Sequence, residues 1–325
     1  MHTGCMNADQ PIHDATCGAA TTRRSTGAWP FVLGCALLGT IGIFVKNAHA
    51  DPLTVTWFRC AFGLLVLTGW VALRRQTRLL RLTRTTGPWV LVAGSLMVLS
   101  WALFFSAIER MSVGVAIVLF HFQPMWVLVL GALLLKEPIG RRRIGAVSVA
   151  MVGLVLATGI AEHPAGDVPQ GYWLGVAFCL VGAFCMACVT IIARHLRDLP
   201  AGILAWWQCA IGTLTVWIWP MRHGWPGVGV SWLWLAGLGI IHTGLAYTLI
   251  YIGMARLNTG RIALFQFVYP AVGVFIDWLC FAQHLSRLQL MGIALMAAAI
   301  WFAERARATA RTRPAGARPN GLNRT

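Results

Sequence analysis

Two prolines in long apolar stretches have polar side chains within one turn of them. The residues concerned are His121, Gln123, Pro124, Gln266, Tyr269 and Pro270. A proline inside a helix removes one backbone hydrogen bond and frees a carbonyl about one turn earlier. Away from water, such groups need a partner from the protein, a trapped water or a bound solute. The pattern predicts a solute-binding cavity or a gate here, with a structural kink and interhelical hydrogen bonds as the alternative.

Aromatic residues recur at helical spacing in neighbouring apolar stretches. Trp101 and Phe105 are four residues apart, and so are Tyr247 and Tyr251, so each pair lies on one helix face. His242 precedes the second pair by about one turn. The hypothesis is that these residues line the same cavity. Ordinary packing is the alternative for the rings, and a buried, hydrogen-bonded histidine is the alternative for His242.

Three charged residues at the ends of apolar stretches are candidates for a gate or for ion coupling: Lys46, Arg59 and Asp277. Arg59 lies several residues inside its apolar stretch. An arginine there can anchor a helix by extending its side chain to the nearby membrane–water interface. Asp277 has three interpretations: it binds a proton or another cation, it pairs with Lys46 or Arg59 as an outer gate, or it is solvated at the interface.

Composition indicates where these side chains must lie. Of the 325 residues 58% are hydrophobic and 11% are charged, and the mean hydropathy is +0.70. Soluble domains carry about 25% charged residues, so the composition excludes a soluble enzyme, a disordered chain and a coiled coil. Long continuous apolar runs are unlike the alternating strands of a membrane β-barrel. The sequence predicts an all-α integral membrane protein with ten transmembrane helices, at 29–46, 53–73, 88–108, 112–135, 144–161, 171–193, 201–221, 230–255, 262–282 and 286–303.

The net charge of +16 follows this topology. With a cytoplasmic N-terminus, 21 of the 26 lysines and arginines fall in inner segments, as the positive-inside rule requires. The basic excess therefore predicts both termini in the cytoplasm and contact with anionic lipids rather than with nucleic acid. The style of the two tails favours a bacterial inner (plasma) membrane.

The motifs of common enzyme and metal sites are missing from the sequence. It has no H-E-x-x-H, G-x-S-x-G or Walker A motif, so we expect no enzyme activity, cofactor or metal. Cys185 and Cys188 form a C-x-x-C pair without a second ligand pair nearby. Ala48–Ala50 resembles a signal-peptide cleavage site, but Lys46 precedes it and the segment has a counterpart later in the chain, so we expect it to be retained.

The second half of the chain resembles the first. Trp101–Ile144 aligns with Tyr247–Leu290 without a gap and superposes the two prolines, and a shorter match pairs Arg59 with Gln208. Each half holds five predicted spans, an odd number, so the halves enter the membrane from opposite sides. This is the inverted repeat of many secondary transporters. The predicted boundaries are 1–28 for a cytoplasmic tail, 29–161 for the first repeat, 162–170 for a periplasmic linker, 171–304 for the second repeat and 305–325 for a basic cytoplasmic tail.

Several local motifs resemble an EamA-type repeat. They are Leu37–Lys46, Asp51–Pro52, Arg59, Ala107–Ser112, Pro124, Leu134–Ile139, Gly145 and Gly153, with a second series from Leu238 through Pro270 to Gly292. Over about 30–304 the chain is similar to the EamA group of the drug/metabolite transporter superfamily, whose fold is two inverted five-helix repeats. It departs from that pattern at two positions of the second repeat. Gln283 stands where the first repeat has Glu137, and Tyr269 stands before the proline, at a position that is often acidic in the family.

The resemblance implies a secondary transporter that exports or exchanges a small metabolite or drug-like solute by alternating access. Its partners would be the small-molecule substrate, the lipid bilayer and a proton or other coupling ion. Whether the protein forms a homodimer is left open. One alternative is a nucleotide-sugar or nucleoside carrier of the same superfamily, which needs cationic groups facing the cavity. Another is a membrane scaffold or regulatory subunit that does not transport.

Overall fold

The protein is all-helical throughout the residues that the structure describes. The computed structural model describes residues 27–108, 110–111, 113–137, 140–158, 170–281 and 286–312. The α-helices of the first half are α1 (Ala28–Gly39), α2 (Ile41–Ala48), α3 (Pro52–Leu73), α4 (Gly87–Ile108), α5 (Val113–Phe120), α6 (Gln123–Leu134) and α7 (Arg141–Ala157). Those of the second half are α8 (Tyr172–His195), α9 (Ala201–Val216), α10 (Ile218–His223), α11 (Val230–Gly237), α12 (Ala246–Met254), α13 (Thr259–Phe265), α14 (Val268–Phe281) and α15 (Arg287–Thr312). A 3-10 helix covers Thr77–Leu80, and a π-helix covers Leu238–Leu245.

Eight segments of the described chain are long and apolar enough to cross a membrane. They are Ala28–Ala48, Leu53–Leu73, Gly87–Phe104, Val115–Leu134, Tyr172–His195, Ala201–His223, Val230–Met254 and Thr259–Ile276. The other two predicted spans coincide with α7, which has 17 residues, and with a shorter apolar helix at Arg287–Ala303. The chain is therefore a multi-pass membrane protein, but by this criterion the structure does not confirm the predicted count of ten.

Side-chain caps fix where two of the helices begin. The carboxylate of Asp51 accepts a hydrogen bond from the N–H of Leu53 at 3.0 Å, and Pro52 is the first residue of α3. The side chain of Asn258 accepts from the N–H of Arg261 at 3.1 Å at the start of α13. Such caps satisfy N–H groups that no helical carbonyl can reach, so these two helices start directly after their capping residues.

The two prolines lie at the start of new helices rather than inside continuous ones. Two turn residues separate α5 from α6, and Pro124 stands in the first turn of α6. Two turn residues also separate α13 from α14, where Pro270 stands in the first turn. A proline costs no backbone hydrogen bond in a first turn. Phe122 and Gln266 keep right-handed helical backbone angles, so the interruptions also match the structural kink of the alternative interpretation, and a cavity or gate here stays a prediction. Both spans are discontinuous at equivalent places.

Helices of one half pack against helices of the other half in a symmetric pattern. Helix α1 packs against α12 and α14 of the second half, while its equivalent, α8, packs against α4 and α6 of the first. The equivalent helices α3 and α9 pack together, and so do α7 and α15. Exchanging the two halves converts the contacts of α1 into those of α8 and maps the α3–α9 and α7–α15 pairs onto themselves, as expected for repeats related by a pseudo-two-fold axis. The structure thus confirms the two-repeat architecture.

Helices α7 and α15 approach so closely that their contact requires glycine. A Cβ atom added to Gly292 would lie 2.4 Å from the backbone nitrogen of Ala157, and one added to Gly153 would lie 2.8 Å from the carbonyl oxygen of Gly292. Gly145, on the same helix α7, has open space around it. Small residues permit this backbone-to-backbone contact between membrane helices, which joins the last helix of one repeat to that of the other.

Candidate functional site

Aromatic and polar side chains from both repeats meet in the interior of the helix bundle. We call the following residues the central cluster: Arg59, Trp101, His121, Gln208, Tyr247, Tyr251 and Tyr269. The ring centroids of Trp101 and Tyr247 are 6.3 Å apart, and those of Tyr247 and Tyr251 are 6.0 Å apart. The predicted aromatic residues of the two halves therefore contact one another directly.

Gln208 joins this cluster from α9. The hydroxyl of Tyr251 donates a hydrogen bond to its side-chain oxygen, and the residue is only 1% exposed. Its Nε2 atom is buried and has no hydrogen-bond partner among the described residues. A buried, unsatisfied amide donor is costly, so Gln208 is a candidate for a site residue. Gln208 was not among the predicted site residues, although its alignment with Arg59 was the signal that could have identified it.

Arg59 points into the bundle from α3. The residue is 6% exposed, its Nε donates to the hydroxyl of Thr243 at 3.4 Å, and its guanidinium carbon lies 4.9 Å from the ring centre of Trp101. A cation over an indole face is attracted by the ring quadrupole. These contacts enclose Arg59 between helices, which favours the interior role over the alternative that Arg59 anchors the helix at the membrane interface. Thr243, on the π-helix, is a partner that the sequence did not reveal.

His121 and Tyr269 bring the two helix breaks together. His121 lies in the turn between α5 and α6, is 7% exposed, and stacks on Tyr269 with ring centroids 5.6 Å apart. Its Nδ1 is 2.8 Å from the carbonyl oxygen of Ile117. Tyr269 is also close enough to Tyr247 for an electrostatic interaction. A ring contact therefore connects the first break to the second.

The two glutamines beside the prolines have different surroundings. The amide of Gln123 donates to the hydroxyl of Thr190 on α8 at 3.3 Å, which is the interhelical hydrogen bond of the alternative interpretation. Gln266 is the first of the two turn residues between α13 and α14 and is half-buried. Its side-chain oxygen is enclosed without a hydrogen-bond partner among the described residues. Gln266 thus keeps an unused acceptor, whereas Gln123 links two helices.

His242 occupies a packed position in the π-helix. It is 0% exposed, its Nε2 lies 2.9 Å from the hydroxyl of Thr40, and its ring centroid is 4.6 Å from that of Phe44. Thr40 is the single residue between α1 and α2. The carbonyl of Gly237 is near Nδ1, but not in hydrogen-bond geometry. These contacts match the alternative of a buried, hydrogen-bonded histidine, which here connects the π-helix to the junction of α1 and α2.

The other predicted positions do not join the central cluster in the part of the chain that the structure describes. Lys46 is exposed in the last turn of α2. The side chains of Phe105 and Asp277 lie outside the described residues, so the gate pairing predicted for Asp277 stays a prediction. Cys185 lies on α8 as a free thiol, as does Cys188, and none of the described residues form a group of three metal-ligating side chains.

Glu137 connects the two repeats at the predicted cytoplasmic end. One carboxylate oxygen accepts from Arg194 at 2.7 Å, and the other accepts from the backbone N–H and the hydroxyl of Thr259, at 2.9 and 2.7 Å. Burial alone would raise the pKa of Glu137, but the hydrogen bonds from Thr259 and the charge of Arg194 outweigh it and lower the pKa. Glu137 is therefore held as an anion that joins three spans.

The sequence matches the model of the EamA-like transporter family over residues 25–159 and again over 173–304. This chain belongs to the EamA-like transporter family. It is similar to the uncharacterized transporter YxxF of Bacillus subtilis (strain 168), with 24% identity over 281 residues that cover 85% of this chain and 89% of the relative. It is also similar to an uncharacterized transporter of Archaeoglobus fulgidus, with 25% identity over 281 residues, 86% of this chain and 96% of that one.

A solved crystal structure shares the fold of this EamA protein. The two superpose with a TM-score of 0.79 at 18% sequence identity, over 89% of this chain and 99% of the other. The family assignment confirms the predicted resemblance and identifies the chain as a transporter. The central cluster draws side chains from both matched stretches, as a site between two EamA repeats would.

Proposed function

We propose that this EamA protein is a secondary active transporter that exports or exchanges a small metabolite or drug-like solute by alternating access. The central cluster would be the solute site, and the two repeats would rock about it to open it to each side in turn. The sequence has no Walker A motif, so the driving force would be a solute or ion gradient. We propose transport without catalysis, in a bacterial plasma membrane with both termini in the cytoplasm.

The observation that carries this proposal is the pair of helix breaks beside the central cluster. Discontinuous spans at equivalent places of two repeats are how many secondary carriers form a midplane site. Here His121 at the first break stacks on Tyr269 beside the second, at 5.6 Å between ring centroids. A movement of one repeat against the other would change this contact, so a site built on it would open and close with the repeats.

The chemistry of the cluster favours an amphipathic solute. Three tyrosines and Trp101 supply apolar faces with polar edges. Gln208 in the cluster, and Gln266 one turn before Tyr269, each have an enclosed side-chain atom without a partner among the described residues. Arg59 is the charged member. A neutral or zwitterionic solute with an apolar body would match these groups.

The proposal is tested by the metabolite profile of the medium of cells that express the protein. Wild type is compared with a Gln266→Ala/Tyr269→Ala double variant, and Tyr172→Ala on α8 is the matched control because it removes a tyrosine outside the cluster. We expect a small set of compounds to accumulate with wild type and with the control, but not with the double variant. Identical profiles, at equal amounts of each protein in the membrane, would contradict export through this site.

A further inference from the structure

The side chain of Arg59 carries a positive charge inside the bundle without a carboxylate beside it. The residue is 6% exposed, and none of the acidic side chains that the structure describes forms an ion pair with it. Asp51 caps the start of α3, and Glu137 binds Arg194 and Thr259. A buried, uncompensated charge is strongly unfavourable in an apolar environment, so this one calls for an anion. The candidates are a bound solute and Asp277, whose side chain lies outside the described residues.

The protein groups around Arg59 use only part of its hydrogen-bonding capacity. A guanidinium has five N–H donors, and in the described part of the chain the Nε–H donates to the hydroxyl of Thr243 while Trp101 covers one face. The terminal nitrogens have no acceptor among the described residues. Two parallel N–H groups match the two oxygens of a carboxylate. The unused part of Arg59 therefore fits a carboxylate better than a neutral group.

The neighbours of Arg59 supply a further donor and apolar surface. Gln208 is its equivalent in the second repeat, is 1% exposed, and has an Nε2 donor without a partner among the described residues. Helix α3, which carries Arg59, packs against α9, which carries Gln208. Trp101, which lies under the guanidinium, has its ring centroid 6.3 Å from that of Tyr247. Hydrogen-bond donors from Arg59 and Gln208 thus lie on one side of the central cluster, and the aromatic rings of Trp101 and Tyr247 lie on the other.

We propose that Arg59 binds the carboxylate of a monoanionic or zwitterionic solute, whose apolar body lies against Trp101 and Tyr247. The inference deepens the proposed transport function and rests on it. A single arginine favours a single negative charge, whereas a phosphate or a nucleotide sugar would call for more than one cation at the site. Lys46, the nearest candidate by sequence, is exposed at the end of α2 and does not supply a second cation inside the cluster.

The test is the thermal unfolding midpoint of the purified protein in detergent, because a ligand that binds only the folded state raises it. The probes are sodium acetate, butyrate, hexanoate and phenylacetate, each paired with its uncharged amide, with sodium chloride and inorganic phosphate as salt controls. We expect one of the larger carboxylates to raise the midpoint in a saturable way while its amide does not. We expect Arg59→Gln to weaken this binding at least tenfold, and Arg59→Lys to weaken it less.

Three results would overturn the assignment. They are an equal effect of the amides, stabilisation by phosphate alone, and the absence of saturable stabilisation by any of the carboxylates. The comparison of acid with amide uses wild type only, so it stands even if Arg59→Gln does not fold. Binding does not require movement of the repeats, so carboxylate binding without export would contradict only the proposed transport. Export of a neutral or cationic compound would contradict only the role of Arg59.

Discussion

Glu137 of the first repeat accepts two hydrogen bonds from Thr259 of the second, although the residues are 122 positions apart in the chain. Thr259 is the first residue of α13, so the carboxylate also lies at the positive end of that helix. Arg194 at the end of α8 donates to the same carboxylate. If the repeats rock about the central cluster, this contact closes the cytoplasmic side and must break when that side opens.

We predict that Glu137→Gln destabilises the protein. A hydrogen bond to a charged group contributes about 1.5–3 kcal/mol, and the substitution leaves Arg194, whose Nε is already buried without a partner among the described residues, without its carboxylate. The unfolding midpoint in one detergent should fall, while Asp198→Asn, a change at an exposed acid on the same side, should leave it unchanged. In a double-mutant cycle, Arg194→Gln should cost less in the Glu137→Gln background than in wild type; additive effects would contradict the coupling.

The stabilisation by Glu137 should depend on pH. Its pKa in the folded protein lies below the ordinary value of 4.5, so its contribution is present above that value and is lost as the pH falls through the lowered pKa. The difference in unfolding midpoint between wild type and Glu137→Gln should therefore be constant from pH 7 to pH 5 and shrink below about 4.5. A difference that stays constant under acidic conditions would show that the ionised carboxylate is not the stabilising form.

We predict opposite effects for the two glutamines beside the prolines. Gln266→Ala should lower transport about tenfold or more at an unchanged unfolding midpoint, because its enclosed acceptor has no protein partner among the described residues. Gln123→Ala should lower the midpoint and keep most of the transport, because its amide binds Thr190 and such contacts in membranes contribute about 0.6–2 kcal/mol. Export rate and unfolding midpoint are measured on the same preparations. The reverse pattern would exchange the two roles.

Close packing between the last helices of the repeats gives a stability prediction. Gly292→Ala places a Cβ atom 2.4 Å from a backbone nitrogen of α7, so the helices must separate. We expect a lower yield of monodisperse protein and an unfolding midpoint reduced by several degrees. Gly145→Ala is the matched control because nothing lies within 4 Å of the added atom. Equal behaviour of the two variants would contradict the tight α7–α15 contact.

Continuous apolar runs and internal repetition were sufficient to predict a helical membrane protein made of two inverted repeats, but not to confirm ten spans. The packing of α7 with α15 and of α3 with α9 agrees with that prediction, since equivalent helices meet at a pseudo-two-fold axis. The two prolines indicated a disturbance of both spans, but not its form. A proline pattern alone does not distinguish a kink from a new helix, because both relieve the missing N–H.

The roles of individual polar residues were less predictable, because they depend on contacts between distant segments. Arg59 is close enough to the end of its span to reach the interface, and only the packing of α3 against the π-helix turns it towards Thr243. Gln123 directly precedes Pro124, and Gln266 lies four residues before Pro270. Both have aromatic neighbours in sequence, yet only Gln123 finds a hydrogen-bonding partner in an adjacent helix. Side-chain direction after a helix break is set by tertiary packing.

Transport by this protein alone is the central claim, and reconstitution tests it most directly. Purified protein is placed in liposomes loaded with a small-molecule extract of cells, and the compounds that leave are compared with those from liposomes that hold the Gln266→Ala/Tyr269→Ala variant. We predict that wild type releases a few related compounds, with a carboxylate among their groups, and that the variant retains them. Equal retention by both liposomes, with folded protein inserted in each, would contradict the account and favour a regulatory subunit.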